Sequence, residues 1–72
     1  MKLCELNVGK RMRITSLDTD EREVKMLVGR GFAPGALVCA LMRRGDCGIY
    51  FADGAYYAVS DSIGSRITGE PL

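Results

Sequence analysis

The 72-residue sequence predicts a small α+β domain that is mainly β: a five-stranded barrel with one helix inserted after strand one. Short apolar or alternating runs recur through the chain, and turn-forming residues separate them, as in small barrels. A single longer segment carries apolar residues at helical spacing. The length fits one domain over residues 1–72, with a core near the minimum useful size.

The chain begins with a short turn and a strand. Residues 3–6 are too few for an independent helix, so we expect a single turn closed by Gly9. Polar and apolar residues then alternate over residues 10–17, with Met12 and Ile14 on one side. This is the period of a half-buried strand.

A helix is predicted from the acidic segment 18–21 to about Arg30. The segment reads Asp-Thr-Asp-Glu, which offers two N-caps and places carboxylates at the positive end of the helix dipole. We expect Gly29 either to allow close packing or to let the last turn fray. The face expected to pack on a core consists of Val24, Leu27, Val28, Gly31 and Phe32.

The helix has a well-specified stop. Gly31 stands where a left-handed C-terminal cap belongs, because glycine adopts positive φ without steric cost. Pro34 follows where a helix cannot continue. Pro34 and Gly35 together predict a type II turn, with positive φ at the glycine.

The second predicted strand covers residues 36–42 and is apolar on both faces. Leu37, Cys39 and Leu41 lie on one face, and Val38, Ala40 and Met42 on the other. Such a strand is expected to be buried on both sides. Residues 43–46, Arg-Arg-Gly-Asp, then predict a turn.

The remaining residues predict a hairpin and a closing strand. Two apolar runs, 47–52 and 55–59, are joined by Asp53-Gly54, which favours a type I′ turn. We expect residues 60–64 to form one helical turn, residues 65–68 to form the last strand, and residues 69–72 to be a loose end.

Composition and charge disfavour several classes of protein. Apolar residues make up 47% of the chain and the net charge is +1, so no strong field attracts nucleic acid or an anionic membrane. No secretory signal is recognisable, and the longest apolar run is far shorter than a membrane span. Cys4, Cys39 and Cys47 are an odd number without Cys-x-x-Cys spacing, which fits reduced thiols. We therefore expect a cytoplasmic protein without membrane insertion.

No catalytic or metal-binding pattern is present. The chain has no histidine, which excludes the usual serine triad, and it has no P-loop. The three cysteines lack the spacing of a metal site, and Cys39 is expected to be a buried structural residue. The acidic residues 18–23 are explained by the helix dipole. We expect no enzyme activity, no cofactor and no metal.

The order of these elements resembles the FeoA family, which comprises small cytoplasmic SH3-like domains of bacterial ferrous iron transport. The resemblance is most specific at residues 27–35, Leu-Val-Gly-Arg-Gly-Phe-Ala-Pro-Gly, with Gly45-Asp46 at the expected distance. Three positions differ from the family pattern. Arg30 stands where an apolar residue usually precedes the glycine, Cys47 replaces a proline, and Ser60 replaces an arginine.

The resemblance implies an adaptor whose partner is the FeoB transporter, with its GTPase domain and membrane pore. An exposed methionine among arginines suits such a contact, with the apolar group as anchor and the charges as steering. Met26 could equally belong to the core. The residues expected to bind the partner are Arg22, Met26, Arg30, Arg43 and Arg44.

Two alternatives remain open from the sequence. Tyr50, Tyr56 and Tyr57 near the arginine pair could stack bases in a small nucleic-acid-binding barrel, although the net charge disfavours nucleic acid. A thiol-based metal or redox sensor could use Cys47, the thiol expected to be most reactive. An open edge strand could also pair with a second copy, giving weak self-association.

Overall fold

A computed structural model describes residues 1–72. The five strands form one antiparallel sheet in the order β4-β3-β2-β1-β5. This confirms the predicted fold class, which is mainly β with one longer helix after the first strand. The elements are a 3-10 turn Leu3–Glu5, β1 Arg11–Leu17, α1 Glu21–Gly29, β2 Leu37–Arg44, β3 Cys47–Ala52, β4 Ala55–Ser60, α2 Asp61–Gly64 and β5 Ile67–Pro71.

One face of the sheet, the inner face, carries the core. Alternation in β1 buries Met12 and Ile14, as predicted. Register shifts interrupt the pairing of β1 with β5 and of β2 with β3, and such bulges bend strands. The twelve core residues are Leu3, Leu6, Met12, Ile14, Leu27, Phe32, Val38, Ala40, Tyr50, Ala52, Val59 and Ile67.

The two ends of α1 follow their sequence signals. Of the two candidate N-caps the structure uses Asp20, whose Oδ1 accepts the backbone N–H of Glu23 at 2.8 Å. At the other end Gly31 has φ of 91°. The N–H groups of Gly31 and Phe32 donate to the carbonyls of Val28 and Leu27 at 3.1 and 2.9 Å. This is a Schellman cap, and it turns Phe32 into the core.

Two predicted turns are confirmed by their backbone angles. Gly35 has φ of 94°, and Ala36 donates to the carbonyl of Ala33 at 2.9 Å, as a type II turn requires. In the hairpin between β3 and β4, Asp53 and Gly54 have φ of 49° and 80°. Both central residues of a type I′ turn have positive φ.

The expected burial of both faces of β2 is wrong. Val38 and Ala40 are buried, whereas Leu37, Leu41 and Met42 are exposed. No second layer covers the outer face of the sheet, so an apolar strand is only half enclosed. On α1, Val28 is likewise exposed, although Leu27 beside it is buried.

The chain ends and turns also differ from the expected ones. Arg43 and Arg44 belong to β2, so the turn contains only Gly45 and Asp46. The last strand begins at Ile67 rather than at residue 65, and residues 69–71 are not loose, because they pair with β1. Gly29 has no neighbour within 4 Å of an added Cβ, so it does not serve close packing.

Candidate functional site

Arg22 and Met26 lie on α1 and Arg30 is its C-cap residue; the three are four residues apart, which places them along one side of the helix. We call these three residues the α1 surface. Arg22 and Arg30 are exposed, and neither has a carboxylate within ion-pairing distance. The α1 surface therefore offers two positive charges that nothing in the chain neutralises.

Met26 is neither fully exposed nor fully buried. It packs against the edge of the core and also lines a shallow depression of about 220 Å³ together with Asp20, Arg22 and Glu23. The two carboxylates there are already engaged: Asp20 caps the helix, and Glu23 contacts Thr19 and Arg66. The depression thus has an apolar floor and one free cation, Arg22.

Arg30 is held in place by an aromatic ring. Its guanidinium carbon lies 5.8 Å from the ring centroid of Tyr57, within the range of a cation–π contact. Tyr57 in turn meets Phe32 edge to face, with centroids 5.8 Å apart. The side chain is therefore positioned by the core, although it remains exposed to solvent.

Arg43 and Arg44 form a separate group at the end of β2. Arg43 forms an ion pair of 2.5 Å with Asp61 at the start of α2. The hydrogen bond to Asp61 raises the pKa of the Arg43 guanidinium above its ordinary value. Arg44 lies opposite Cys47 and has no ion pair. Of the two arginines, Arg44 is the one that is free.

The strand register divides Arg43 and Arg44 between the two faces of the sheet. Arg30 contacts Tyr57, which pairs with Tyr50 of β3. Arg43 pairs with Gly48, which lies two residues before Tyr50 on the same strand. Successive residues of a strand point to opposite faces, so Arg43 and Arg44 face different sides of the sheet. Arg43 therefore lies on the face that carries Tyr57, and Arg44 lies on the opposite face.

The three tyrosines do not form a base-stacking platform. Tyr50 is buried, with its hydroxyl donating to the carbonyl of Leu3 at 3.3 Å, and burial raises the pKa of this phenol. Tyr57 is half-buried beneath Arg30. Tyr56 alone is largely exposed, and it pairs edge to face with Phe51. Of the three tyrosines, only Tyr56 therefore offers an exposed ring on the surface.

The cysteines are scattered. Cys4, Cys39 and Cys47 are free and half-buried, so Cys39 is less enclosed than expected. No group of three or more histidine, cysteine, aspartate or glutamate residues is arranged to hold a metal ion. Nothing in this arrangement favours the thiol sensor.

Sequence reasoning missed the outer face of the sheet. The bulge in β2 places Leu41 and Met42 together opposite Ile49, and Phe51 and Tyr56 continue this face on β3 and β4. Four of these five side chains are exposed. Strict alternation in residues 47–52 could have indicated that every second side chain of β3 is exposed. The bulge in β2 could not be predicted, because nothing in the apolar run 36–42 marks its position.

A second depression, of about 410 Å³, lies between the end of α1 and the start of β2. Its floor includes Val28 and Leu37, which are both exposed.

No helix in the molecule has the length and hydropathy needed to cross a membrane.

The comparisons with known proteins agree with this geometry. The family model described as FeoA domain matches residues 1–71. No curated protein matches the sequence. The solution structure of FeoA protein from Chlorobium tepidum is 26% identical with a TM-score of 0.92, over 100% of this chain and 70% of that one.

Two further solved structures have the same fold. Iron(II) transport protein A from Clostridium thermocellum is 26% identical with a TM-score of 0.93, over 100% of this chain and 46% of that one. The crystal structure of an iron uptake regulatory protein, FeoA, is 20% identical with a TM-score of 0.92, over 100% and 97%. With the family model matching almost the whole sequence, the chain belongs to the FeoA family of small SH3-like accessory domains of ferrous iron transport.

Proposed function

We propose that this chain is a cytoplasmic accessory protein that regulates or scaffolds a FeoB-type ferrous iron transporter by protein contact, without catalysis of its own. One observation on the α1 surface supports the proposal most directly. A half-buried methionine there lies beside arginines that have no carboxylate partner in the chain. In a domain of this family, such a surface suits a partner that supplies the missing carboxylates.

In this proposal, the methionine and the two arginines of the α1 surface have different roles. Met26 offers a flexible apolar side chain that can fill a complementary pocket, as interface methionines do. Arg22 and Arg30 would steer an acidic partner and pair with its carboxylates. Because Arg30 is pre-positioned by Tyr57, less side-chain entropy is lost when it binds.

The arginines at the end of β2 have different roles in this proposal. Arg44 is available to a partner, since no carboxylate in the chain holds it. Arg43 is occupied by Asp61 and serves first to tie β2 to α2. A single contact area therefore centres on α1, with Arg44 reaching a partner only if that partner extends around the sheet.

The test is a calorimetric titration of this chain with the cytosolic GTPase domain of the FeoB-type transporter from the same organism. It is run with GDP and with a non-hydrolysable GTP analogue. We expect binding in at least one nucleotide state, and Met26→Glu should weaken it at least about tenfold, because a carboxylate replaces the apolar anchor. Absence of binding by the wild type in both states would overturn the proposal.

Two variants control for misfolding. Met42→Glu introduces the same change at an exposed methionine on the outer face and should bind as the wild type does. Arg22 is exposed on α1 and forms no ion pair, so Arg22→Glu should fold normally and still weaken binding. Equal losses in Met26→Glu and Met42→Glu would remove α1 as the contact area.

A further inference from the structure

The sheet has two edges, and only one of them is protected. At the β5 edge, Lys2 pairs with Thr68, and Met1 exchanges hydrogen bonds with the backbone of Gly69 at 2.9 and 3.2 Å. Glu70 and Pro71 add a charge and a proline, two devices that prevent strand pairing. The amino-terminal residues therefore close this edge.

The β4 edge carries none of these devices. Its sequence, Ala-Tyr-Tyr-Ala-Val-Ser, contains no charge and no proline. It pairs with β3 in unbroken register from Ala55 to Ser60, without a bulge. A regular, uncharged strand at a sheet edge is a template for another strand.

The register shows which backbone groups face outward. A two-residue type I′ turn is closed by a hydrogen-bonded pair, here Ala52 with Ala55, and hydrogen-bonded pairs alternate with open ones along an antiparallel ladder. Tyr56 and Ala58 thus belong to open pairs, as does the amide of Ser60. No turn, loop or cap hydrogen bond of the backbone reaches these groups. Their N–H and C=O groups face solvent.

We propose that β4 is a self-association edge, at which two copies of this chain pair their β4 strands antiparallel about a two-fold axis at Ala58. In this register the two Ala58 residues exchange N–H···O=C bonds, and each Ser60 amide donates to the Tyr56 carbonyl of the other copy. The contact is isologous, because the same residues serve on both sides.

A second copy fits this edge for two reasons. Strand β4 has no charge, so bringing two of them together causes no like-charge repulsion along the pair. The small Ala58 at the axis leaves room for the two exposed Tyr56 rings on the outer face, each beside a Ser60 of the other copy. One six-residue strand gives a small interface, so we expect a dissociation constant between about 10 μM and 1 mM.

Sedimentation equilibrium over a range of concentrations up to about 1 mM tests this directly. We expect a monomer–dimer equilibrium, weakened at least about tenfold by Ala58→Lys, which sets two ammonium groups together at the axis. Ala58→Pro should act likewise, since it removes an outward N–H that β3 does not use. Leu41→Lys adds the same charge on β2, away from the edge, and should dimerise normally.

Amide exchange locates the contact independently. Exchange at Ala58 and Ser60 should slow as concentration rises, whereas Tyr57 and Val59, which bond to β3, should not respond. A monomer at the highest concentration would overturn the proposal, as would a dimer unaffected by both Ala58 variants. Either failure leaves the proposed transporter contact intact, because that contact uses α1.

Discussion

Gly48 lies in β3 opposite Val59, against the phenol ring of Tyr50. A Cβ at this position would overlap that ring, although the backbone angles themselves do not require glycine. Tyr50 is fixed on its other side by its hydroxyl bond to Leu3 and by the core. The ring therefore has little freedom to move away from an added methyl group.

Two glycine variants should have opposite effects on stability. Gly48→Ala should lower the free energy of unfolding by about 1–3 kcal/mol, the usual cost of overpacking. Gly29→Ala, at the exposed end of α1 with open space around it, should raise it by up to about 1 kcal/mol. Urea denaturation followed by circular dichroism measures both. A stabilised Gly48→Ala variant would show that Tyr50 can shift, contrary to this account.

At the scale of elements, the helix ends were the most predictable parts. Asp20 acts through a hydrogen bond to a residue three positions away, and Gly31 acts through its own φ angle. A few neighbouring residues are therefore enough to predict both roles. The same holds for Asp53-Gly54. The bulge at Leu41 and the pairing of Glu70 with Arg13 depend instead on distant strands. Residues 69–72 read as a loose end because their partner is more than 50 positions away.

The N-cap of α1 is a local feature that can be tested on its own. Asp20→Ala leaves the amide of Glu23 without its acceptor and should lower the free energy of unfolding by about 1 kcal/mol. Asp20→Asn keeps an acceptor oxygen at the same place and should cost less. Thermal unfolding of the two variants beside the wild type measures the difference. Identical loss in both would mean that charge near the helix dipole, rather than the cap bond, matters here.

At the scale of the whole molecule, the net charge of +1 conceals an uneven use of charge. Four basic side chains form ion pairs: Lys2, Lys25, Arg43 and Arg66. The other six of the ten do not. Composition therefore disfavoured a general affinity for nucleic acid, but it could not show which arginines are free. That depends on pairs such as Arg43 with Asp61, which are 18 residues apart.

The candidate site, too, could be predicted from the sequence only in part. Helical spacing was enough to group Arg22, Met26 and Arg30, because residues four apart on one helix are neighbours. It could not decide how far Met26 is buried, since this depends on where the helix lies against the core. Arg43 and Arg44 were grouped with them by sequence proximity to each other, and strand alternation divides that pair between two faces.

Because most basic side chains form no ion pair within the chain, we expect salt to change the rate of partner binding far more than the stability of the fold. The four ion pairs within the chain all have solvent access, and ion pairs near the surface contribute little to stability, so the urea midpoint should change little between about 50 and 500 mM NaCl. Association with the transporter's GTPase domain should slow about tenfold over that range, because free arginines steer the encounter and salt screens them. Stopped-flow fluorescence at several salt concentrations measures the association rate.

A charge-matched pair of double variants assigns this effect to its residues. Arg22→Gln with Arg30→Gln removes two charges from the α1 surface and should flatten the dependence of the association rate on salt. Lys10→Gln with Arg11→Gln removes two charges at the start of β1, where the residues are also exposed, and should leave the slope close to that of the wild type. Long-range steering by total charge alone would flatten both slopes equally, because each variant lowers the net charge by the same amount. Flattening confined to the α1 variant places the encounter on α1, next to Met26, where the proposed contact has its apolar anchor.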